Sequence, residues 1–217
     1  MTGEIKAIAR RHLETDGANL SLRAVARDMG MVSSAVYRYF ASRDELLTAL
    51  ILDAYSDLGA TVEAADAAVT DRADLRGRWK AATRAVRAWA LAKPAEYALL
   101  FGSPVPGYAA PQDTAVAAAR SPLVLLQILA DGHAAGTLAP SAVRPRLARP
   151  LRSDLAAVTS QIALGLPEDV LLLGMTAWLE LFGAVSFELF GQLNNVIEAR
   201  AQFFDQQMEV MSDLIGI

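Results

Sequence analysis

Apolar side chains recur every three or four positions along most of this chain, which is the period of an α-helix that buries one face. The first two runs consist of Ile5, Ile8, Ala9 and Leu13, and then of Leu22, Val25, Ala26 and Met29. No stretch shows the alternation of apolar and polar residues that is typical of a β-strand. The pattern therefore predicts an all-α protein.

Polar residues and glycines mark where the first helices begin and end. Gly17 follows the first apolar run, and Ser21 precedes the second in the position of an N-cap. Gly30 follows the second run, at a place where glycine adopts a left-handed turn most easily. We predict a short third helix over about residues 33–39. The capping-box sequence S-x-x-E at residues 42–45 then opens a fourth helix.

The rest of the chain is predicted to form further helices separated by two loops. The helices span about residues 42–65, 75–92, 96–101, 114–135, 146–164, 167–190 and 196–215. The loops are residues 103–112, which contain three prolines, and residues 136–145. The count is nine to ten helices, arranged as a small N-terminal three-helix domain and a larger C-terminal helical bundle.

Composition excludes several kinds of site. The 217 residues include no cysteine, which rules out disulfides, a cysteine-ligated zinc site and thiol catalysis. His12 and His133 are far apart in the sequence, and no phosphate-binding glycine loop or nucleophile motif is present. We expect no metal, no cofactor and no enzymatic activity.

The chain also lacks the signals of export or membrane insertion. Its first 20 residues are charged and amphipathic, without the apolar centre of a secretory signal, and we expect a cytoplasmic protein. The most apolar stretch, residues 170–190, contains Glu180 and Glu188, which are costly at the middle of a bilayer. We expect a buried helix there and no membrane contact.

Residues 21–40 predict a helix-turn-helix, in which two short helices cross at a turn that contains glycine. Val25, Ala26 and Met31 are predicted to hold the two helices together. The outer face of the second helix then carries Arg38, which can reach a guanine or a phosphate. We predict nine DNA contacts: Ser21, Arg23, Ser33, Ser34, Ala35, Tyr37, Arg38, Tyr39 and Arg43. The alternative is an ordinary corner of two helices.

The segment from Leu22 to Leu47 resembles the tetracycline-repressor-like (TetR) family of regulators. The resemblance rests on Leu22, Val25, Ala26 and Gly30 and on the run Tyr37-x-Tyr39-Phe40-x-Ser42-Arg43-x-Glu45-Leu46-Leu47. Two positions depart from the family pattern. Val32 occupies the place of a capping serine, so a shift of the start of the third helix by one residue is an expectation that this departure raises. Arg43 replaces a lysine and keeps the positive charge.

The resemblance implies a homodimer whose C-terminal helices form a bundle and a ligand cavity. Residues 178–191 look similar to a Trp- and Gly-containing segment of one TetR subgroup. The helix predicted over residues 167–190 is apolar nearly all round, so core packing covers one side and a partner helix the other. Residues 196–215 add further apolar side chains to that interface. We assign residues 1–47 to DNA binding and residues 48–217 to dimerisation and ligand binding.

Aromatic residues with few charges near them mark the predicted ligand site. They are Trp79, Trp89, Tyr97, Phe101, Trp178 and Phe182. The leading interpretation is a ligand-responsive repressor that binds a near-palindromic operator in double-stranded DNA as a homodimer and is released by a small apolar effector.

Two other interpretations remain. One is an all-α small-molecule-binding protein or enzyme without DNA binding. The other is a non-specific nucleoid protein, which the net charge of −4 disfavours.

Overall fold

A computed structural model describes residues 1–17, 19–139 and 146–217, and this part of the chain forms ten α-helices and no strand. The helices are α1 (Thr2–Asp16), α2 (Leu22–Asp28), α3 (Ser33–Val36), α4 (Arg43–Ala67), α5 (Leu75–Ala92), α6 (Pro94–Phe101), α7 (Thr114–Ala135), α8 (Arg149–Ile162), α9 (Glu168–Leu189) and α10 (Arg200–Ile215). The predicted all-α class is confirmed.

Most helix boundaries follow the capping signals in the sequence, and the exceptions have local causes. Helix α3 ends at Val36, three residues earlier than predicted, because residues 37–39 form turns. Helix α10 begins at Arg200 and not near residue 196, because Gly191 and Asn195 both have positive φ and keep the preceding segment in turns. The predicted loop over residues 136–145 falls mostly outside the described residues.

The helices separate into two compact units. The first unit comprises residues 1–59 and 89–119, and the second comprises residues 60–88 and 120–217. Helices α4, α5 and α7 contribute residues to both units. This division by packing differs from the functional boundary that we predict after residue 47, which remains a prediction.

The core of the first unit joins the three N-terminal helices to the start of α4. Helix α1 contacts α2 and α6, and α2 contacts α3. The core consists of Ile5, Ala9, Leu13, Leu20, Leu22, Val25, Ala26, Val36, Phe40, Leu46, Leu47 and Leu50, each at most 5% exposed. Val105 and Tyr108, from the loop that follows α6, also pack against this cluster.

Ion pairs fix α4 to its neighbours within the first unit. The Asp53 carboxylate accepts hydrogen bonds from the Lys6 ammonium and the Arg10 guanidinium, which lie on α1. The Asp57 carboxylate, one turn further along α4, accepts from the Trp89 indole and the Lys93 ammonium. One side of this part of α4 therefore has charge-assisted hydrogen bonds to α1 and to the end of α5.

The second unit contains a buried arginine. Arg78 on α5 is fully buried, and its guanidinium donates to Asp66 Oδ1 at 2.8 Å and to Asp131 Oδ2 at 2.7 Å. These contacts join α5 to the end of α4 and to α7. The Trp79 indole N–H donates to the carbonyl of Met208 at 2.9 Å and ties α5 to α10.

Two helices, α7 and α9, have the length and hydropathy of a membrane span, although only a third of each apolar stretch is buried. Helices of ordinary helical bundles share these properties. In α9, Glu180 accepts a hydrogen bond from Gln207, and the Glu188 carboxylate pairs with Arg87 at 2.6 Å. Because both acidic groups have protein partners, we interpret α9 as a packing helix of the second unit, which also contacts α8 and α10.

Candidate nucleic-acid interface

The buried side of the α2–α3 pair holds the two helices in a fixed arrangement. Val25, Ala26 and Val36 are fully buried, and the backbone N–H of Met31 donates to the carbonyl of Ala26 at 2.9 Å. Gly30 makes the turn with φ of 68°, in the left-handed region. The predicted packing of Val25 and Ala26 is present, while the Met31 side chain is only half-buried.

The outer side of the same pair carries the polar residues that we predicted to contact DNA. Ser34 and Arg38 are exposed, and Tyr37 and Tyr39 are 44% and 43% exposed. Ser33 and Ala35 are half-buried at the start of α3. Hydroxyl and guanidinium groups on an outward face suit contacts with phosphates and base edges.

An open depression of about 470 Å³ brings together four of the nine predicted contacts. Its lining includes Ser21, Arg23, Tyr37 and Arg43, together with Leu20, Leu22, Ala41 and Ser42. These residues come from the beginning of α2, the turn after α3 and the beginning of α4. A concave surface with two arginines and several hydroxyl groups can hold one phosphate of a nucleic-acid backbone.

Two serine residues cap the N-termini of α2 and α4, which border this depression. The Ser21 hydroxyl accepts a hydrogen bond from the Ala24 N–H at 3.4 Å, and the Ser42 hydroxyl accepts one from the Glu45 N–H at 3.1 Å. The Glu45 carboxylate accepts in turn from the Ala41 N–H. This is the reciprocal pattern of a capping box, with the glutamate reaching one residue further back than usual.

The position of α2 is also fixed from α1. His12 Nε2 lies 2.6 Å from Asp28 Oδ2 at the end of α2. The hydrogen bond with His12 holds the pKa of the Asp28 carboxyl below its ordinary value. The pair therefore orients α2, and it leaves Arg23 on the same helix exposed to solvent.

The six aromatic residues predicted to bind a ligand divide equally between the two units. In the second unit, the Trp79 indole N–H donates a hydrogen bond to the Met208 carbonyl, and the centroids of the Trp178 and Phe182 rings are 6.0 Å apart. In the first unit, the Trp89 indole N–H donates a hydrogen bond to the Asp57 carboxylate, and the centroids of the Tyr97 and Phe101 rings are 5.0 Å apart. The indole N–H of Trp178 is buried and has no hydrogen-bond partner within the described part of the chain.

Sequence reasoning missed one contact near the predicted DNA contacts. The Tyr108 hydroxyl lies 2.9 Å from the hydroxyl of Thr48, in the second turn of α4. The two residues are 60 positions apart, so no periodic pattern could have paired them. The only signal in the sequence was an aromatic residue in a loop rich in proline and glycine.

The fold and this surface define a helix-turn-helix protein, and its relatives specify the family. Residues 5–50 match the family described as "Bacterial regulatory proteins, tetR family", and residues 79–211 match "Tetracyclin repressor-like, C-terminal domain". The second match includes the Trp- and Gly-containing segment over residues 178–191.

The chain is also similar over its whole length to proteins that are named as regulators. The HTH-type transcriptional regulators Rv1816 of Mycobacterium tuberculosis and Mb1846 of Mycobacterium bovis are each 42% identical over 217 residues, covering 96% of this chain and 89% of the relative. The crystal structure of the regulatory protein SCO4313 is 35% identical with a TM-score of 0.74, covering 97% of this chain and 94% of that one.

The chain belongs to the TetR family of transcriptional regulators. It binds DNA and is not an enzyme, so the predicted class is confirmed and the alternative of a helical protein without DNA binding is wrong.

Proposed function

We propose that this regulator is a cytoplasmic repressor that binds a near-palindromic operator as a homodimer and is released by a small apolar effector. The observation that carries the proposal is the outward polar face of residues 33–39 beside the depression lined by Arg23 and Arg43. A polar face of this kind can contact base edges in the major groove of DNA. The depression beside it can hold the phosphate backbone at one side of that groove.

In this proposal the nine predicted contacts have two roles. Arg38, with Ser33, Ser34 and Ala35 beside it, enters the major groove and contacts base edges. Ser21, Arg23, Tyr37, Tyr39 and Arg43 contact phosphates and fix the register of the protein on the duplex. Residues 1–47 thus read the operator, and the remaining residues dimerise and respond to the effector.

An exposed apolar face on α9 and α10 supports the dimer. Leu179 and Phe187 on α9 are 63% and 56% exposed, and Val210 and Phe203 on α10 are 60% and 36% exposed. Side chains of this size are costly to leave in water when they cluster. A second copy related by a two-fold axis covers the face with the same residues, since a self-complementary patch is the rule in dimers.

The dimer places two reading helices at a defined separation, and an effector works by changing that separation. For two half-sites, the recognition helices need to lie about 34–36 Å apart, or a multiple of that distance. A complete reversal of binding requires an effector that prefers the released form by about 5.5 kcal/mol. Of the six predicted aromatic residues, we propose that Trp89, Tyr97 and Phe101 of the first unit support the effector site. Ligand contact by Trp79, Trp178 and Phe182 of the second unit stays a prediction.

The proposal is tested by selection of duplexes from a random DNA library with the purified full-length protein. We expect enrichment of a near-palindrome, bound at least about 10³-fold more tightly than random duplex. Binding of all duplexes with equal affinity would instead support the non-specific nucleoid function. Enrichment of a single unrepeated half-site, with one protein chain bound, would contradict the dimer.

A further inference from the structure

Val32, the residue just before α3, exposes an apolar side chain beside the polar face of the α2–α3 pair. It is 72% exposed, and of the large apolar residues that the structure describes only Val116 is more exposed. The core that holds α2 and α3 in place does not include it. Its neighbours are the Gly30 turn on one side and Ser33 and Ser34 on the other.

The backbone explains why Val32 is exposed. Its φ of −70° and ψ of 141° are extended, so its side chain does not continue the helical face on which Val36 is buried. Before it, the Met31 N–H donates to the Ala26 carbonyl at 2.9 Å. After it, the Val32 carbonyl accepts from the Ala35 N–H, also at 2.9 Å. The side chain is therefore held toward solvent by a fixed backbone.

The local structure gives no reason for a valine at this position. Val32 is the N-cap of α3, and its side chain makes no capping hydrogen bond. Serine, threonine, aspartate and asparagine stabilise an N-cap because their side-chain oxygen accepts from the first turn, which valine cannot do. An apolar side chain in water also loses the free energy that burial would give. Neither capping nor packing within the chain accounts for the valine, whereas burial against bound DNA does.

The chemistry of the side chain selects one feature of the major groove. An isopropyl group has no hydrogen-bond donor or acceptor, so it gains nothing from phosphates or from the polar groups of base edges. The apolar group that a base exposes in the major groove is the 5-methyl group of thymine. Ser33, Ser34 and Ala35, which follow Val32, are small and allow the backbone to approach the bases. The first residues of a recognition helix are also those that contact base edges.

We propose that Val32 packs against the 5-methyl group of a thymine in each half-site and makes the affinity for the operator depend on that methyl group. This rests on the proposed function, because it requires that α3 enters the major groove. Val32 is not among the nine contacts that the sequence predicts. It adds an apolar contact to the polar contacts proposed for Arg38, Ser33 and Ser34.

The contact is tested by removing the methyl group from the DNA alone. Each thymine of one half-site in the selected duplex is replaced in turn by deoxyuridine, which keeps the same hydrogen-bonding groups. Fluorescence anisotropy with the full-length protein should show one position at which the replacement weakens binding about fourfold, the effect of one buried methyl group. In Val32→Ser, the replacement at that position should leave the affinity unchanged.

Val32→Ser separates this contact from a folding defect. Serine is a better N-cap than valine, so the midpoint of urea denaturation should equal or exceed that of the wild type. Val116→Ser is the matched control, because Val116 is a 78% exposed valine on α7, outside the α2–α3 pair. It should keep the wild-type preference for thymine over uracil.

A second measurement returns the methyl group on a different base. At the same position, the thymine is replaced by cytosine or by 5-methylcytosine, each paired with guanine. Both modified duplexes lose the other groups of thymine, but 5-methylcytosine carries its methyl group at the same place in the groove. The wild type should bind the methylated duplex about fourfold more tightly than the unmethylated one, and Val32→Ser should bind the two equally.

The outcomes distinguish the contact from the proposed function. A selected duplex whose half-sites contain no thymine, or accept uracil at every thymine, overturns the assignment of Val32. A preference for thymine that Val32→Ser retains in full overturns it as well. A protein that selects no duplex refutes the proposed function, and the Val32 contact with it. A single unrepeated half-site with a preference for thymine that depends on Val32 refutes the dimer and supports the contact.

Discussion

At the scale of single residues, the change of burial between neighbouring positions determines which side chains α3 and the turn after it present to solvent. Val36 is fully buried, and Tyr37, Arg38 and Tyr39 after it are all exposed. The turns that end α3 at Val36 place three polar side chains in succession on the outer surface. A regular helical continuation would have placed Tyr39 on the same side as the buried Val36, so the early end of α3 adds Tyr39 to the polar surface.

Arg38 and Arg43 are expected to contribute to DNA binding in different ways. Arg38→Ala should weaken binding to the selected duplex by about 1–3 kcal/mol and relax its preference at one base pair, because a base contact is lost. Arg43→Ala should weaken binding to every duplex alike and reduce the slope of log affinity against log salt by about one, because a phosphate contact is lost. Fluorescence anisotropy at several salt concentrations measures both effects.

Arg152→Ala provides a matched control, because Arg152 is an exposed arginine on α8. It should leave both the affinity and the salt slope as in the wild type. Wild-type binding by both Arg38→Ala and Arg43→Ala would show that the surface of α3 does not face the duplex.

Two glycine substitutions are expected to have opposite effects on stability. Gly30→Ala meets no atom within 4 Å but requires alanine at φ of 68°, which costs about 1–2 kcal/mol. Gly3→Ala also meets no atom, but it lies in α1 at helical φ, where alanine is favoured by up to about 1 kcal/mol. Urea denaturation of each variant gives the two free energies of unfolding. Equal changes would contradict a left-handed turn at Gly30.

At the scale of helices, the buried Arg78 is the strongest electrostatic feature of the second unit. Asp66→Ala should lower the free energy of unfolding by about 3–5 kcal/mol, because the buried guanidinium keeps only Asp131 as a carboxylate partner. Asp205→Ala removes the partner of Arg84, whose side chain is 52% exposed, and should cost at most about 1 kcal/mol. Comparable losses from the two variants would argue against a special role for burial at Arg78.

The contribution of Asp66 to the free energy of unfolding is expected to depend on pH. Burial raises the pKa of the Asp66 carboxyl, but hydrogen bonds from Arg78 and Arg72 outweigh burial and hold its pKa below the ordinary value. A carboxyl whose pKa is lowered by folding stabilises the protein above its unfolded pKa of about 3.9, and this contribution disappears as the pH falls through the folded value. The difference in unfolding free energy between wild type and Asp66→Ala should therefore be constant at neutral pH and shrink below about pH 4. A difference that grows on acidification would contradict this sign.

The helices were predictable to the extent that their signals were local. The limits of α5 and α7 follow from apolar periodicity, and Ser21 and Ser42 cap helices where the sequence places them. The turns after Val36 and the late start of α10 were not predictable, because they depend on how neighbouring residues pack. The candidate DNA contacts lie within 23 consecutive residues, so one motif identifies them together.

The surroundings of the predicted ligand residues could not be derived from the sequence. Trp79 and Trp89 are nearly buried, and their indole N–H groups donate hydrogen bonds to the Met208 carbonyl and the Asp57 carboxylate. These partners lie 129 and 32 positions away, so no local pattern pairs them with the tryptophans. Contact of either tryptophan with a ligand stays a prediction.

At the scale of the whole molecule, the proposed dimer predicts that operator binding depends on the exposed apolar face of α9 and α10. Phe187→Arg places a charge in the centre of that face and should convert the dimer to a monomer, because a buried unpaired charge is strongly unfavourable. The affinity for the palindromic duplex should fall by about 100-fold or more, since each half-site then binds alone. Light scattering and anisotropy measure the two effects.

Val116→Arg is the matched control for this change, because Val116 is 78% exposed on α7 and belongs to the first unit. It should remain dimeric with wild-type affinity. A monomeric Phe187→Arg variant that still binds the palindrome as tightly as the wild type would separate dimerisation from operator recognition and contradict the proposal.

Asp53 and Asp57 lie one turn apart on the same side of α4, and their partners are on α1 and at the end of α5. A rotation of α4 about its own axis would stretch both sets of hydrogen bonds at once. Within the first unit, α4 is therefore expected to shift together with α1 and the end of α5, as one rigid piece.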